Sequence, residues 1–154
     1  MLKFYFFSFL CFCTFICATA QAGGNNTYAF LNLTNSARVA SLGGKTAALW
    51  TDDLNLPFHN PSLLNASMNN HFVLNYVGYF ADVKYGYVSY AQTMGDIGNF
   101  AGGIHYINYG DFTGSDMYGT KTGTFRASEY SLNLIYSRKI DSTFQVGINV
   151  KPVY

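Results

Sequence analysis

From His71 to the end of the chain, hydrophobic and polar side chains alternate with a period of two, the pattern of strands that show different faces to different surroundings. The alternation is cleanest from Glu129 to Ser137. There Tyr130, Leu132, Leu134 and Tyr136 share one face and Ser131, Asn133 and Ser137 the other, with Ile135 as the exception. Phe144, Val146, Ile148 and Val150 repeat it against Gln145, Gly147, Asn149 and Lys151, and the short charged stretch Arg138 to Ser142 between them predicts a hairpin turn. Earlier segments are less regular. His71 to Tyr79 sets Phe72, Leu74 and Tyr76 opposite Asn75; Val83 to Ala91 sets Tyr85 and Tyr87 against Lys84 and Gly86; Phe100 to Tyr109 mixes Ile104 and Tyr106 with His105, Ile107 and Tyr109. The sum is about five antiparallel strands.

Upstream of His71 the texture changes. Residues 23 to 70 show no sustained alternation and carry Gly43-Gly44, Pro57, Pro61 and many asparagines, which predicts compact irregular structure. Residues 1 to 20 have the layout of a secretory signal peptide: Lys3, an apolar run from Phe4 to Cys17, and Ala18-Thr19-Ala20 as a small-x-small cleavage pattern, with Ala22 as the other cleavage position. The apolar run is shorter than the roughly 20 residues a spanning helix needs. The expected organisation is a signal peptide over 1–20, an irregular segment over 21–70 and a strand region over 71–154, exported through the Sec pathway.

Composition then decides which solvent the strands meet. Aromatic residues make up 18% of the chain and charged residues only 11%, against about 25% charged in soluble domains. The charges collect between the predicted strands, at Asp82, Asp96, Asp111, Asp116, Lys121, Arg126, Arg138, Lys139 and Asp141. A hydrocarbon slab imposes that distribution, since Lys or Arg facing lipid costs about 2–4 kcal/mol at the midplane. The polar face of the best strands is small and uncharged, which suits an enclosed interior better than water. The expected fold is therefore all-β, a transmembrane antiparallel β-barrel in the outer membrane, in contact with outer-membrane lipid; the rival is a soluble β-sandwich. About five strands cannot close a single-chain bacterial barrel, so the sequence is expected to be the front part of a longer one, in preference to closure by several copies. Long and short breaks alternate, and the long, polar, glycine-rich stretch Asp111 to Phe125 is expected to be an extracellular loop.

Candidate chemistry is sparse. Cys11, Cys13 and Cys17 all lie in the signal segment, and the bulky Ile16 before Cys17 argues against a lipid anchor. Without Lys3 the nine basic residues become eight, equal to the eight acidic ones, so no basic field exists for nucleic acid. Gly44-Lys45-Thr46 resembles the end of a phosphate loop, but Val39 stands where the motif needs glycine; Gly43 and Gly44 better fit a tight turn at positive φ. His59, His71 and His105 lack metal-ligand spacing. Asp52-Asp53 and Glu129 have nothing in the sequence to pair them, and no Gly-x-Ser-x-Gly elbow is present. No enzymatic activity, metal or cofactor is expected. Asn60-Pro61-Ser62 predicts a capped short helix presenting Leu63 and Leu64 to an apolar surface.

Taken as an ordered set, Thr27-Tyr28-Ala29-Phe30-Leu31-Asn32-Leu33, Ser36 to Gly44, Asp53 to Leu64, Leu74 to Val88 and Gly103 to Gly110 resemble the PorQ family of the bacterial type IX secretion system. The Leu-Gly-Gly and Asn-Pro-Ser elements are shared with the wider group of PorV and the FadL-type channels, although that group usually has Ala where Ser62 stands. The resemblance implies a FadL-like barrel whose N-terminal segment folds back as a hatch, with Arg38, Gly43, Gly44, Asn60 and Pro61 as structural hatch residues. It also implies a non-enzymatic role at the cell outer membrane. There the family holds PorZ in the cell-surface attachment complex beside PorU and PorV, through extracellular loops for which Asp111, Phe112, Asp116, Tyr118, Lys121 and Phe125 are the candidates here. A FadL-like channel for hydrophobic compounds is the alternative.

Overall fold

The computed structural model describes residues 27–154, so the expected signal peptide lies outside the described residues. The strands are β1 (Phe72–Gly78), β2 (Lys84–Met94), β3 (Gly98–Ser115), β4 (Lys121–Lys139) and β5 (Gln145–Val150), joined as an open antiparallel meander in the order β1-β2-β3-β4-β5. Each neighbouring pair runs in continuous register apart from shifts in the β3–β4 pair. Among the described residues no helix is long and apolar enough to cross a membrane, which says nothing about strands.

One face of the sheet is covered by residues 27–70, an irregular layer of short turns with one α-helix, α1 (Ala37–Ser41). Its local geometry follows from its Asn, Pro and Gly. Asn60 caps the 3₁₀ turn Pro61–Leu63 by accepting from Ser62 N at 3.2 Å, and Asn65 caps Ala66–Met68 by accepting from Ser67 N at 3.0 Å. These are Asx turns, in which a short side chain substitutes for a backbone acceptor. Gly43 and Gly44 end α1 at φ 95° and 87°, a region that L side chains rarely adopt.

Three apolar clusters fasten the layer. Leu54, Leu64 and Met68 meet Ala91, Ala101 and Ile135 at one end of the sheet; this is why Ile135 breaks the polar run of β4. Phe30 meets Tyr85 and Ile107 toward the other end, and Val39, Leu56 and Leu63 pack within the layer itself. Gly147 permits the closest approach: a Cβ there would lie 2.4 Å from the Pro61 carbonyl carbon.

Among the described residues nothing packs on the other face, and it is the apolar one. Phe72, Leu74 and Tyr76, then Ile104 and Tyr106, then Tyr130, Leu132 and Leu134, then Val146, Ile148 and Val150 all lie on it, with Leu74 and Tyr76 each 71% exposed. Register places Tyr76 opposite Gly86, Gly86 opposite Tyr106 and Tyr106 opposite Tyr130. Tyr130 exchanges backbone hydrogen bonds with Tyr154 at 2.9 and 2.8 Å, their rings stacked at 5.1 Å. A row of four tyrosines thus crosses the sheet. Six residues away along β4, roughly 20 Å at ~3.3 Å per residue, Tyr136 packs against Phe100 with ring centroids 5.0 Å apart.

One strand settles a direction that the alternation left open, and one sequence expectation changes. In β2 the aromatic pair Tyr85 and Tyr87 lies on the covered face, because there the alternation sets the rings against Phe30 and Phe58. The stretch Asp111 to Phe125, expected as a loop, is mostly strand. β3 and β4 pair on through Asp111–Arg126 and Phe112–Phe125 as far as Ser115–Lys121, leaving only a tight turn between. Pairing of β2 with β3 stops at Asn108, so residues 109–115 project as a two-stranded ribbon of roughly 23 Å. A register shift between Asn108 and Asp111, with Gly110 at φ 81°, marks where the ribbon leaves the sheet.

Candidate functional site

An irregular backbone laid on a sheet carries carbonyls that no ladder satisfies, and each needs a donor when buried. The covered face supplies them. The Leu64 carbonyl accepts from Gln145 Nε2 at 2.6 Å, from Asn99 Nδ2 at 3.3 Å and from the Ser137 hydroxyl. The Phe58 carbonyl accepts from Lys151 Nζ at 3.0 Å and Asn149 Nδ2 at 3.3 Å. Tyr85 donates to the Thr34 carbonyl at 3.1 Å, and Asn75 donates to Asn55 Oδ1 at 2.5 Å. Asn99 of β3, Ser137 of β4 and Gln145 and Asn149 of β5 are thus donors to the layer, while Ser131 and Asn133 hydrogen-bond within β4. Ser131, Asn133 and His105 are fully buried beneath it.

At the centre lies a ring cluster that the sequence did not bring together. Phe58 meets His59, Tyr87 and His105 edge-on at 4.8, 5.1 and 5.2 Å, and Lys151 Nζ stands 4.0 Å above its ring. Phe30 stacks on His105 from the other side at 5.5 Å. The ammonium over an aromatic face is a cation–π contact. His59 is pushed down to about 4, first by burial and then by the positive charges of Lys151 and Lys45, so it is neutral at ordinary pH. His59 and His105 are 46 positions apart; only the register of β3 beneath the layer joins them.

The expected hatch residues sit together in the layer without forming a reactive constellation. Arg38 pairs with Asp53 at 3.6 Å, Gly44 offers its carbonyl to Thr34 Oγ1 at 3.4 Å, and Asn60 Nδ2 donates to the Ala47 carbonyl at 2.5 Å beside Pro61. The six hairpin residues form a separate group on the ribbon. Asp111 and Arg126 pair across it, Arg126 holding the Asp111 carboxyl below its usual range, and Phe112 stacks on Phe125 at 5.2 Å. Asp116 folds the tip by accepting from Tyr118 N at 2.9 Å and Thr120 N at 2.8 Å, and Lys121 opens the return strand. Tyr118 and Met117 stand 86% and 89% exposed at that tip. Asp53 and Glu129 are engaged separately, with Arg38 and with the Tyr109 hydroxyl, and no group of three His, Cys, Asp or Glu able to hold a metal occurs among the described residues.

No protein-family model, curated protein or solved structure matches the chain.

Proposed function

We propose that the five strands are part of the wall of an outer-membrane β-barrel filled by residues 27–70 as a hatch, and that its role is to anchor a surface partner. The observation that carries the membrane reading is the polarity of the sheet: the face packed against protein mixes its apolar clusters with buried Ser131, Asn133, Ser137, His105 and Asn99, while the face left open among the described residues is dominated by Leu, Ile, Val, Phe and Tyr. A soluble sheet is built the other way round. The tyrosine row and the Phe100–Tyr136 pair, roughly 20 Å apart, match aromatic girdles bounding an apolar band of ~25 Å. Charged Arg138 and Lys139 lie beyond one girdle and the Asp111–Arg126 ribbon beyond the other.

The resemblance to the PorQ family gives the anchor its context, the type IX attachment complex with PorZ as the partner and PorU and PorV beside it. The ribbon, with its exposed aromatic tip, is the contact element. Deleting the gene and fractionating cells tests this: PorZ is expected to leave the cell surface and secreted cargo to lose its attachment, and unchanged retention of both would refute the role. One observation favours the FadL-like alternative, an apolar cavity of about 260 Å³ lined by Phe30, Leu33, Tyr79, Val83, Ile107 and Tyr109. Loss of hydrophobic-compound uptake with secretion intact would select that reading.

A further inference from the structure

We propose that the layer and the end of β5 form an oxyanion site, a cavity that takes a carboxylate or phosphate group between Lys45 and Lys151. The cavity measures about 510 Å³, and both lysines line it together with Asn32, Thr46, His59 and Asn60. Lys45 follows the Gly43-Gly44 turn, and its ammonium donates to Asn32 Oδ1 at 2.9 Å. Lys151, half-buried, donates to the Phe58 carbonyl at 3.0 Å. An ammonium has three donors, so each has N–H groups beyond the one neutral acceptor it meets.

Neither charge is balanced. The ion pairs among the described residues join Arg38 to Asp53, Lys84 to Asp82 and Arg126 to Asp111, and no carboxylate lies within 4.0 Å of Lys45 or Lys151. Two like charges facing one cavity repel, and partial burial against Phe58 strengthens that repulsion by removing solvent. His59 adds a polar group to the same wall, with Nε2 buried and without a partner among the described residues. Lys45 is open to solvent and Lys151 rests on the Phe58 carbonyl and ring, so a negative group between the cations relieves their repulsion, and oxygens that accept several charge-assisted hydrogen bonds fit the donor set best. The oxyanion has two sources, a free ligand or an acidic side chain of polypeptide that folds over the cavity. The inference holds whether or not the anchoring role does.

The test uses the full-length protein in detergent micelles, in low-salt buffer free of phosphate, with inorganic phosphate as the titrant in calorimetry and thermal unfolding as the second readout. With a free ligand as the source, phosphate binds the wild type. Lys45→Met and Lys151→Met then each weaken it roughly tenfold or more, the effect of losing one charge-assisted hydrogen bond, and Lys45→Glu abolishes it. With an acidic side chain as the source, phosphate gives no heat, but Lys45→Glu lowers the thermal midpoint because it sets carboxylate against carboxylate. The proposal is overturned if phosphate gives no heat and Lys45→Glu leaves the midpoint unchanged or raises it, since an empty site gains a Glu–Lys151 pair. It is equally overturned if phosphate binds the wild type and all three variants alike.

Discussion

Replacing Leu132 by arginine separates lipid from water as the medium outside the sheet. Leu132 projects from the bare face between the tyrosine row and Tyr136, its register neighbour Ile104 on the same face, and it touches no part of the covering layer. In water the change is an exposed surface substitution, worth no more than about 0.5 kcal/mol. Facing acyl chains near the middle of the band, it costs about 2–4 kcal/mol, roughly a 30- to 1000-fold shift in the folding equilibrium. The assay is reversible denaturant folding of the protein into phospholipid vesicles, read by tryptophan emission and by the mobility shift of the folded form. Lys139→Arg, beyond the aromatic row, serves as the control and is expected to change nothing. A Leu132→Arg penalty under 0.5 kcal/mol, or normal folding of the variant in buffer without lipid, would refute the membrane reading.

Three further outcomes are expected. Gly147→Val places a side chain against the backbone of Pro61, an overpacking cost of about 1–3 kcal/mol, and hydrogen exchange over residues 56–70 is expected to accelerate while the β3–β4 amides stay protected. Acidification loosens the layer. Because the folded His59 is held at about 4, below its ordinary 6.5, the neutral form is the one that packs; its contribution is complete above pH 6.5 and is lost as pH falls toward 4. His59→Gln is therefore expected to flatten the pH dependence of protease resistance across that window, and an unchanged slope would count against the assignment. Met117→Ser with Tyr118→Ser at the ribbon tip is expected to leave stability within about 0.5 kcal/mol and to abolish surface retention of the partner in cell fractionation.

The strands of the sheet were legible because alternation is a local signal: β5 and the Glu129–Ser137 part of β4 follow it residue by residue, and even the misfit Ile135 is a real inward apolar contact with the layer. What alternation cannot encode is which face a strand turns toward its neighbours. Tyr85 and Tyr87 of β2 carry the same residue type as Tyr76 and Tyr106, yet they point the other way because register sets them beside Phe30 and Phe58. The ribbon was misread for a related reason. Its Thr, Gly and Ser are ordinary loop residues, and only the cross-strand pairs Asp111–Arg126 and Phe112–Phe125 make it a hairpin. The tyrosine row, the His59–His105 cluster and the paired lysines depend on pairings that alternation does not specify, from Tyr76 opposite Gly86 to Lys151 on the Phe58 carbonyl 93 positions away. The capped turns at Asn60 and Asn65 belong to the opposite case, since donor and acceptor are two residues apart.

The hydrogen bonds from Gln145 to Leu64 and from Lys151 to Phe58 span 81 and 93 positions, and this dictates an order of assembly. Ties that join such distant points must first overcome the entropy of closing the long loop between them. Residues 56–70 are made early and yet lack these partners until β5 docks. Pulse labelling during refolding should find them protected no sooner than β5, so that filler and this stretch of wall come to rest together.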